Sequence, residues 1–316
     1  MTALVKFENH FECKKTLVFL HNGKRIVING CQFFSSFEME LVFDDYDVPE
    51  SMRNDVRNAI NTLDVEVTND DLELIVSTYP TYLEFIDNQT PEICLAAVKK
   101  NAFTLEFVKE QTHEICLAAA KNNGWAIQFV KEQTNEICLA AVNENGWALQ
   151  DVQKQTPEIC MAAVQSRGGA LEYVKEQTPD LCMAAVQNDG WALKFVKEQT
   201  PDLCMAAVKN NGGALQFVKE QTPDLCLAAV RNKGLAIRYV KDQSLEICKI
   251  AVKNDCRALS YVNDQTPEIC KFAVENNGWA LQFVTDQTPE ICLAAVENDS
   301  RALRFVKDKS MVEQVA

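Results

Sequence analysis

The chain has 316 residues, a formal net charge of −14 and 47% hydrophobic residues. The excess of acidic residues argues against non-specific binding to nucleic acid, because that binding depends mostly on Lys and Arg. No apolar run reaches membrane-spanning length, and the N-terminus lacks the apolar core of a signal peptide. We therefore expect a cytoplasmic protein without a membrane partner.

Residues 1–66 predict a small α+β segment. Two runs with strand-like composition, TLVFL at 16–20 and KRIVI at 24–28, flank His21-Asn22-Gly23. Asn-Gly between two such runs is the strongest short-range signal for a β-hairpin. The remaining predicted elements are two strands and a helix, at residues 3–7, 37–43 and 49–63.

The same segment contains a cluster that resembles a metal site in residue type: His10, Cys13, His21 and Cys31. The first two residues have a spacing that could begin a zinc site, but the other spacings match no standard zinc finger. An apolar strand cysteine and surface histidines account for the cluster better. No metal and no cofactor is predicted.

A 22-residue motif, QTPEICLAAVKKNAFTLEFVKE, begins at Gln89 and occurs ten times without insertion or deletion, its last copy starting at Gln287. Fixed self-similarity of this kind predicts a stacked repeat protein. A leucine-rich repeat has a similar period but needs Leu-x-x-Leu-x-Leu alternation, which the motif lacks. Pro would also interrupt a strand ladder.

Each copy predicts a first helix that begins at Thr-Pro-Glu. Thr90 can cap the helix, and Pro91 takes the first helical position, where its missing N–H costs nothing. Ile93 and Cys94 are followed four residues later by Ala97 and Val98, so that these four residues form one apolar face of the helix. Asn-Asn-Gly is expected to end this helix, with Gly124 in a left-handed conformation.

A second helix is predicted from Trp125 to Glu132, with Ala126, Ile127, Phe129 and Val130 facing inward. Helices this short are unstable alone, so neighbouring α-hairpins must stack to bury their apolar faces. The predicted fold class is an all-α repeat solenoid of stacked α-hairpins with a small N-terminal α+β segment.

We predict eleven such repeats between residues 67 and 308, after the N-terminal segment 1–66 and before a tail at 309–316. The first repeat is degenerate: Thr68 takes the cap position and Leu72 replaces the cysteine. Its expected inward residues are Leu83, Phe85 and Ile86.

Ten of the 13 cysteines occupy one repeat position, from Cys94 to Cys292. Stacked helices lie ~8–10 Å apart, too far for disulfides between successive copies. These cysteines are predicted to be small buried residues that stay reduced.

Written as QTPEICLAAVKNNGWALQFVKEQTPE, the motif resembles the uncharacterised α-helical repeats grouped as a "domain of unknown function". Those repeats occur in giant DNA viruses of amoebae and in some bacteria and protists. The resemblance covers about residues 67–308. It implies a helical repeat fold and a viral origin, and it brings no known activity or site residues.

Positions that vary between copies indicate the functional surface. The place after the Gly turn holds Trp in four copies, and Gly, Phe, Leu or Arg in the others. It is therefore not a closed core position. The Trp residues either form an aromatic row that anchors a partner or merely cover their own hairpins.

Asp151 replaces the Phe or Tyr of the other nine full copies, which marks either a notch in the stack or harmless drift. Lys249-Ile250 and Lys271-Phe272 make the C-terminal third locally more basic and apolar. The candidate partner-binding residues are Trp125, Trp147, Trp191, Trp279, Asp151, Phe272, Arg257 and Arg301.

The leading interpretation is a non-enzymatic scaffold that binds protein or peptide through its concave or edge surface, with an open end that could form a homodimer. The alternative is a single-stranded RNA-binding helical repeat protein, in which a few variable side chains per repeat contact the bases. The overall acidity argues against that alternative. An enzyme would need a nucleophile–base pair or a metal set, and His10, His21 and His113 offer neither.

Overall fold

The computed structural model describes residues 16–21, 24–29 and 69–313. The first two segments are strands β1 (Thr16–His21) and β2 (Lys24–Asn29), which pair antiparallel with Thr16 opposite Asn29 and His21 opposite Lys24. The predicted hairpin is confirmed. The other elements predicted at 3–7, 37–43 and 49–63 lie outside the described residues, as do His10, Cys13 and Cys31 of the zinc hypothesis.

From Asn69 onward the described chain alternates between an α-helix and a 3-10 helix, in eleven pairs. The α-helices α1–α11 are Asn69–Thr78, Pro91–Lys100, His113–Asn122, Asn135–Glu144, Pro157–Ser166, Pro179–Asn188, Pro201–Asn210, Pro223–Asn232, Leu245–Asn254, Pro267–Asn276 and Pro289–Asn298. The 3-10 helices η1–η11 are Pro80–Phe85, Ala102–Phe107, Gly124–Phe129, Gly146–Asp151, Gly168–Tyr173, Gly190–Phe195, Gly212–Phe217, Gly234–Tyr239, Cys256–Tyr261, Gly278–Phe283 and Ser300–Phe305. A short helix, α12 (Ser310–Glu313), follows.

The regular alternation of helical elements confirms the predicted fold class, an all-α repeat solenoid. The chain divides into two compact units, residues 1–154 and 155–316. Within each unit, an α-helix packs against the α-helix of the next repeat, and a 3-10 helix against the next 3-10 helix. In the described part of the chain, no helix is long and apolar enough to span a membrane.

The helix starts follow the predicted capping. Thr90 Oγ1 accepts a hydrogen bond from the backbone N–H of Ile93, at 3.4 Å, and Pro91 opens α2. Every helix from α2 to α11 has the same cap, with Ser244 in place of Thr in α9. The cap satisfies a backbone donor that the first turn leaves unpaired.

The second element differs from the prediction, because it is a six-residue 3-10 helix rather than an α-helix. Its bonds run from i+3 to i, as from Val130 N–H to the Ile127 carbonyl at 3.1 Å. Three residues per turn place Ile127 and Val130 on one side, and both are buried. Phe129 lies off that side and is only half-buried, so its predicted inward position is wrong.

The glycine that opens the 3-10 helix does not adopt the expected left-handed conformation. The residue before it, Asn123, is extended (φ −152°, ψ 118°), and the α-helix simply stops there. The glycine is required by packing instead. A Cβ on Gly124 would overlap the carbonyl oxygen of Ala141 in α4, and a Cβ on Gly212 would overlap that of Ala229 in α8.

The ten repeat cysteines are buried, as predicted, with exposed fractions between 0% and 6%, and they are free thiols. Burial raises the pKa of Cys94 to about 11. The pKa values of the other nine are also raised, for the same reason. These thiols therefore remain protonated near neutral pH and are poor nucleophiles.

The first Gln of each repeat has a structural role that the motif did not indicate. Its Nε2 donates to the carbonyl of the residue 18 positions later, the last residue of a 3-10 helix, in all ten copies. Its Oε1 accepts from the backbone N–H 20 positions later, also in all ten. One side chain thus replaces backbone partners that a short 3-10 helix lacks.

Candidate partner-binding face

The 3-10 helices of the second unit expose side chains at their second, fifth and sixth positions. In η6 these are Trp191, Lys194 and Phe195, whereas Ala192 and Leu193 between them are fully buried. The same three positions are half-buried or exposed in η7–η11, apart from the buried Gly213. We call this surface of η6–η11 the 3-10 face.

Aromatic rings on the 3-10 face pack edge to face between successive repeats. The Trp191 and Phe217 ring centroids lie 5.4 Å apart, and those of Trp279 and Phe305 lie 5.3 Å apart. In both pairs the second position of one 3-10 helix meets the sixth position of the next. Such pairs hold large apolar surfaces rigidly at low entropic cost, which suits them to act as anchors for a partner.

Trp279 contacts three charged side chains on this face, those of Asp299, Arg301 and Arg304. Its Nε1–H donates to Asp299 Oδ2 at 2.9 Å, and Arg301 Nη2 donates to the same oxygen at 2.8 Å. The guanidinium groups of Arg301 and Arg304 lie 5.7 and 5.6 Å from the Trp279 ring. The hydrogen bonds from Arg301 hold the pKa of Asp299 well below its usual range.

Arg257 makes the same local arrangement in η9. Its Nη2 lies 2.7 Å from Asp255 Oδ2, and hydrogen bonds from Arg257 lower the pKa of that carboxyl. The two predicted arginines therefore both take the Trp position, and each is oriented by the Asp that caps its own 3-10 helix.

The predicted site residues in the first unit are placed at equivalent positions. Trp125 and Trp147 are half-buried at the second positions of η3 and η4. Asp151 occupies the sixth position of η4 and is also half-buried, and its carboxylate accepts a hydrogen bond from Gln150 Nε2 at 3.4 Å. Of the two alternatives, a notch in the core of the stack is wrong, because this row is half-buried throughout η2–η8. Drift and a partner contact remain as the two explanations.

Phe272 lies on α10, in the helix layer, and not on the 3-10 face. Lys249 Nζ is 5.5 Å from its ring centroid and forms an ion pair with Glu268, at 2.6 Å. Lys271 pairs in the same way with Glu290. These lysines connect successive α-helices, so the structure does not bring Phe272 together with the tryptophans.

Three cations on the 3-10 face were missed from the sequence. Arg238, Arg304 and Lys194 occupy the fifth position and lie 4.6, 5.1 and 5.2 Å from the ring at the sixth position of the same helix. The fifth position varies between Glu, Gln, Lys, Arg and Ser among the copies. That variation is the same signal that identified the Trp position.

Within residues 69–313, no group of three or more His, Cys, Asp or Glu side chains is arranged to hold a metal ion.

The family model described as "Domain of unknown function (DUF4116)" matches residues 90–134, 178–222 and 266–310. Three segments of this chain are thus similar to an uncharacterised repeat family. Each match begins at a capping Thr and spans two α/3-10 pairs. No curated protein matches the chain.

Proposed function

We propose that this chain is a non-enzymatic repeat scaffold that binds a protein or peptide segment through its 3-10 helices. The observation that supports this proposal best is the exposed aromatic surface. Trp191 is 41% exposed and Tyr261 is 42% exposed, although burial of apolar surface stabilises a stack of short helices. Rigid exposed rings beside cations match the composition of interface hot spots.

The variation between copies supports the same proposal. The second position tolerates Gly169 and Gly213 as well as Trp, so the fold does not require an indole there. Large aromatic residues at a position that the fold leaves free are consistent with contact to a partner. On this basis Trp125, Trp147, Arg257 and Arg301 are proposed contacts, together with the two tryptophans of the second unit, Trp191 and Trp279.

Selection from a phage-displayed random peptide library tests the proposal. We expect selected peptides to bind the wild-type chain and to lose most of their affinity for the Trp191→Ala, Trp279→Ala double variant. Phe272→Ala is the matched control, because it removes a half-buried ring from the helix layer. Loss of binding with Phe272→Ala alone would move the binding surface to the helices. Failure to select any binder would contradict the proposal.

The resemblance to repeats of giant DNA viruses extends the proposal to location. We propose a viral origin for the chain and, with that origin, action in the host cytoplasm or the virion. The predicted homodimer through an end of the stack stays a prediction, which light scattering of the purified chain tests.

A further inference from the structure

Acidic residues are distributed unevenly over the 3-10 helices of the second unit: Glu172 lies in η5, and Asp189, Asp255 and Asp299 cap η6, η9 and η11. None of the six 3-10 helices η6–η11 contains Asp or Glu, and together they carry five cations: Lys194, Arg238, Arg257, Arg301 and Arg304. Each of α5–α11, in contrast, has an Asp or Glu in its first turn, and α7–α10 also carry Lys or Arg. A cationic surface within a chain of net charge −14 is therefore a local feature of the 3-10 face.

The cations of this face are positioned by aromatic rings or by capping carboxylates. Arg238, Lys194 and Arg304 lie over neighbouring rings and are exposed to solvent. Arg257 and Arg301 are held by capping carboxylates, yet their side chains remain 65% and 74% exposed. The face thus presents apolar rings and fixed positive groups side by side.

We infer that the 3-10 face of η6–η11 binds an acidic peptide segment in which carboxylates alternate with apolar side chains. This inference rests on the proposed function and names the chemistry of its partner. The apolar side chains would pack on the exposed rings, and the carboxylates would accept hydrogen bonds from the guanidinium groups, which fit carboxylates in a bidentate geometry.

Charge also favours a peptide over RNA as the occupant. A phosphate backbone carries one negative charge per nucleotide, which is a higher charge density than five cations spread over six 3-10 helices can match. A peptide with spaced carboxylates has a lower charge density and suits cations that are distributed over η6, η8, η9 and η11.

Fluorescence anisotropy with the full chain tests the inference. The probes are labelled peptides of repeating Glu-Leu-Asp-Phe and of repeating Gln-Leu-Asn-Phe, and a poly(U) strand of equal length. We expect the acidic peptide to bind most tightly, with an affinity that falls as salt is added. The Lys194→Gln, Arg238→Gln, Arg304→Gln variant should weaken that binding about tenfold.

A matched control variant distinguishes an effect of the 3-10 face on binding from an effect of the net charge of the chain. The Lys209→Gln, Arg231→Gln, Lys253→Gln variant removes the same charge from exposed positions on α7, α8 and α9. It should change the affinity by less than about twofold, because exposed charges far from the contact are screened. Equal weakening by both variants would overturn the inference.

The other outcomes distinguish the inference from the proposed function. Equal affinities for the neutral and the acidic peptide would overturn the inference that the partner is acidic, and they would leave the proposal of peptide binding unaffected. No binding of either peptide would contradict the inference, while a binder from the random library would still support the proposed function. If poly(U) bound more tightly than either peptide, and the Lys194→Gln, Arg238→Gln, Arg304→Gln variant lost that binding, the occupant of the 3-10 face would be single-stranded nucleic acid and not a peptide.

Discussion

Replacing Gln265 by Ala removes one of the repeat glutamines that join successive 3-10 helices. Its Nε2 donates to the Leu259 carbonyl of η9 at 2.9 Å and to the Phe283 carbonyl of η10 at 3.1 Å. Its Oε1 accepts from the Thr285 N–H at 2.9 Å. The substitution therefore breaks three hydrogen bonds to the backbone, and it also removes the acceptor of the Thr285 hydroxyl at 2.7 Å and of Cys270 Sγ at 3.9 Å.

The magnitude follows from those three bonds. A protein hydrogen bond contributes about 0.5–1.5 kcal/mol net, and a buried group left unpaired costs about 1–3 kcal/mol. Because Gln265 is half-buried, water can reach part of the site and reduce that cost. We expect a loss of about 2–4 kcal/mol in the free energy of unfolding. For a domain of this size, each kcal/mol lowers Tm by about 2–4 °C.

Gln282→Ala is the matched control for this prediction. Gln282 is exposed, and its Nε2 donates to the Trp279 carbonyl three residues earlier, at 3.0 Å. Circular dichroism during urea unfolding measures both variants, and hydrogen exchange of the Thr285 amide reports the local opening. A loss below about 0.5 kcal/mol for Gln265→Ala, or equal losses for the two variants, would refute the bridging role.

Three further predictions concern other positions. Gly212→Ala should destabilise the second unit by about 1–3 kcal/mol because its Cβ has no room against the next helix. Gly213→Ala beside it should change stability by less than about 1 kcal/mol, and thermal unfolding that ranks the two the other way would contradict the packing argument. Asp151→Phe should raise stability by about 1 kcal/mol through an edge-to-face contact with Trp125, and a drop in Tm would instead favour a functional carboxylate. The pKa of Asp299 is lowered in the folded state, so its carboxylate stabilises the fold above its unfolded pKa of about 3.9, and that contribution is lost as pH falls toward the folded pKa. Asp299→Asn should therefore reduce stability most above about pH 5, and a urea-unfolding difference that stays constant down to pH 3 would contradict this reasoning.

The sequence by itself determined the features that arise within one copy of the repeat. The period requires a stack, Thr-Pro-Glu starts each α-helix, and the apolar positions of that helix are buried as the pattern indicated. The Asn-Gly hairpin at β1 and β2 also followed from local turn chemistry. Local propensity and hydrophobic spacing act over a few residues, so they can be recognised in a single chain.

The tertiary structure decided what depends on the neighbouring repeat. The second element becomes a 3-10 helix whose end is satisfied by a glutamine, Gln199 in the case of η7, that lies 18 residues earlier in the chain. Gly124 is required by a carbonyl in the next helix, and local turn preferences contain no information about that approach. The sixth position is half-buried because three residues per turn move Phe129 away from the core. Stacking also decides which side chains surround Trp279 of η10, because the guanidinium groups of Arg301 and Arg304 come from η11 and lie 5.7 and 5.6 Å from its ring.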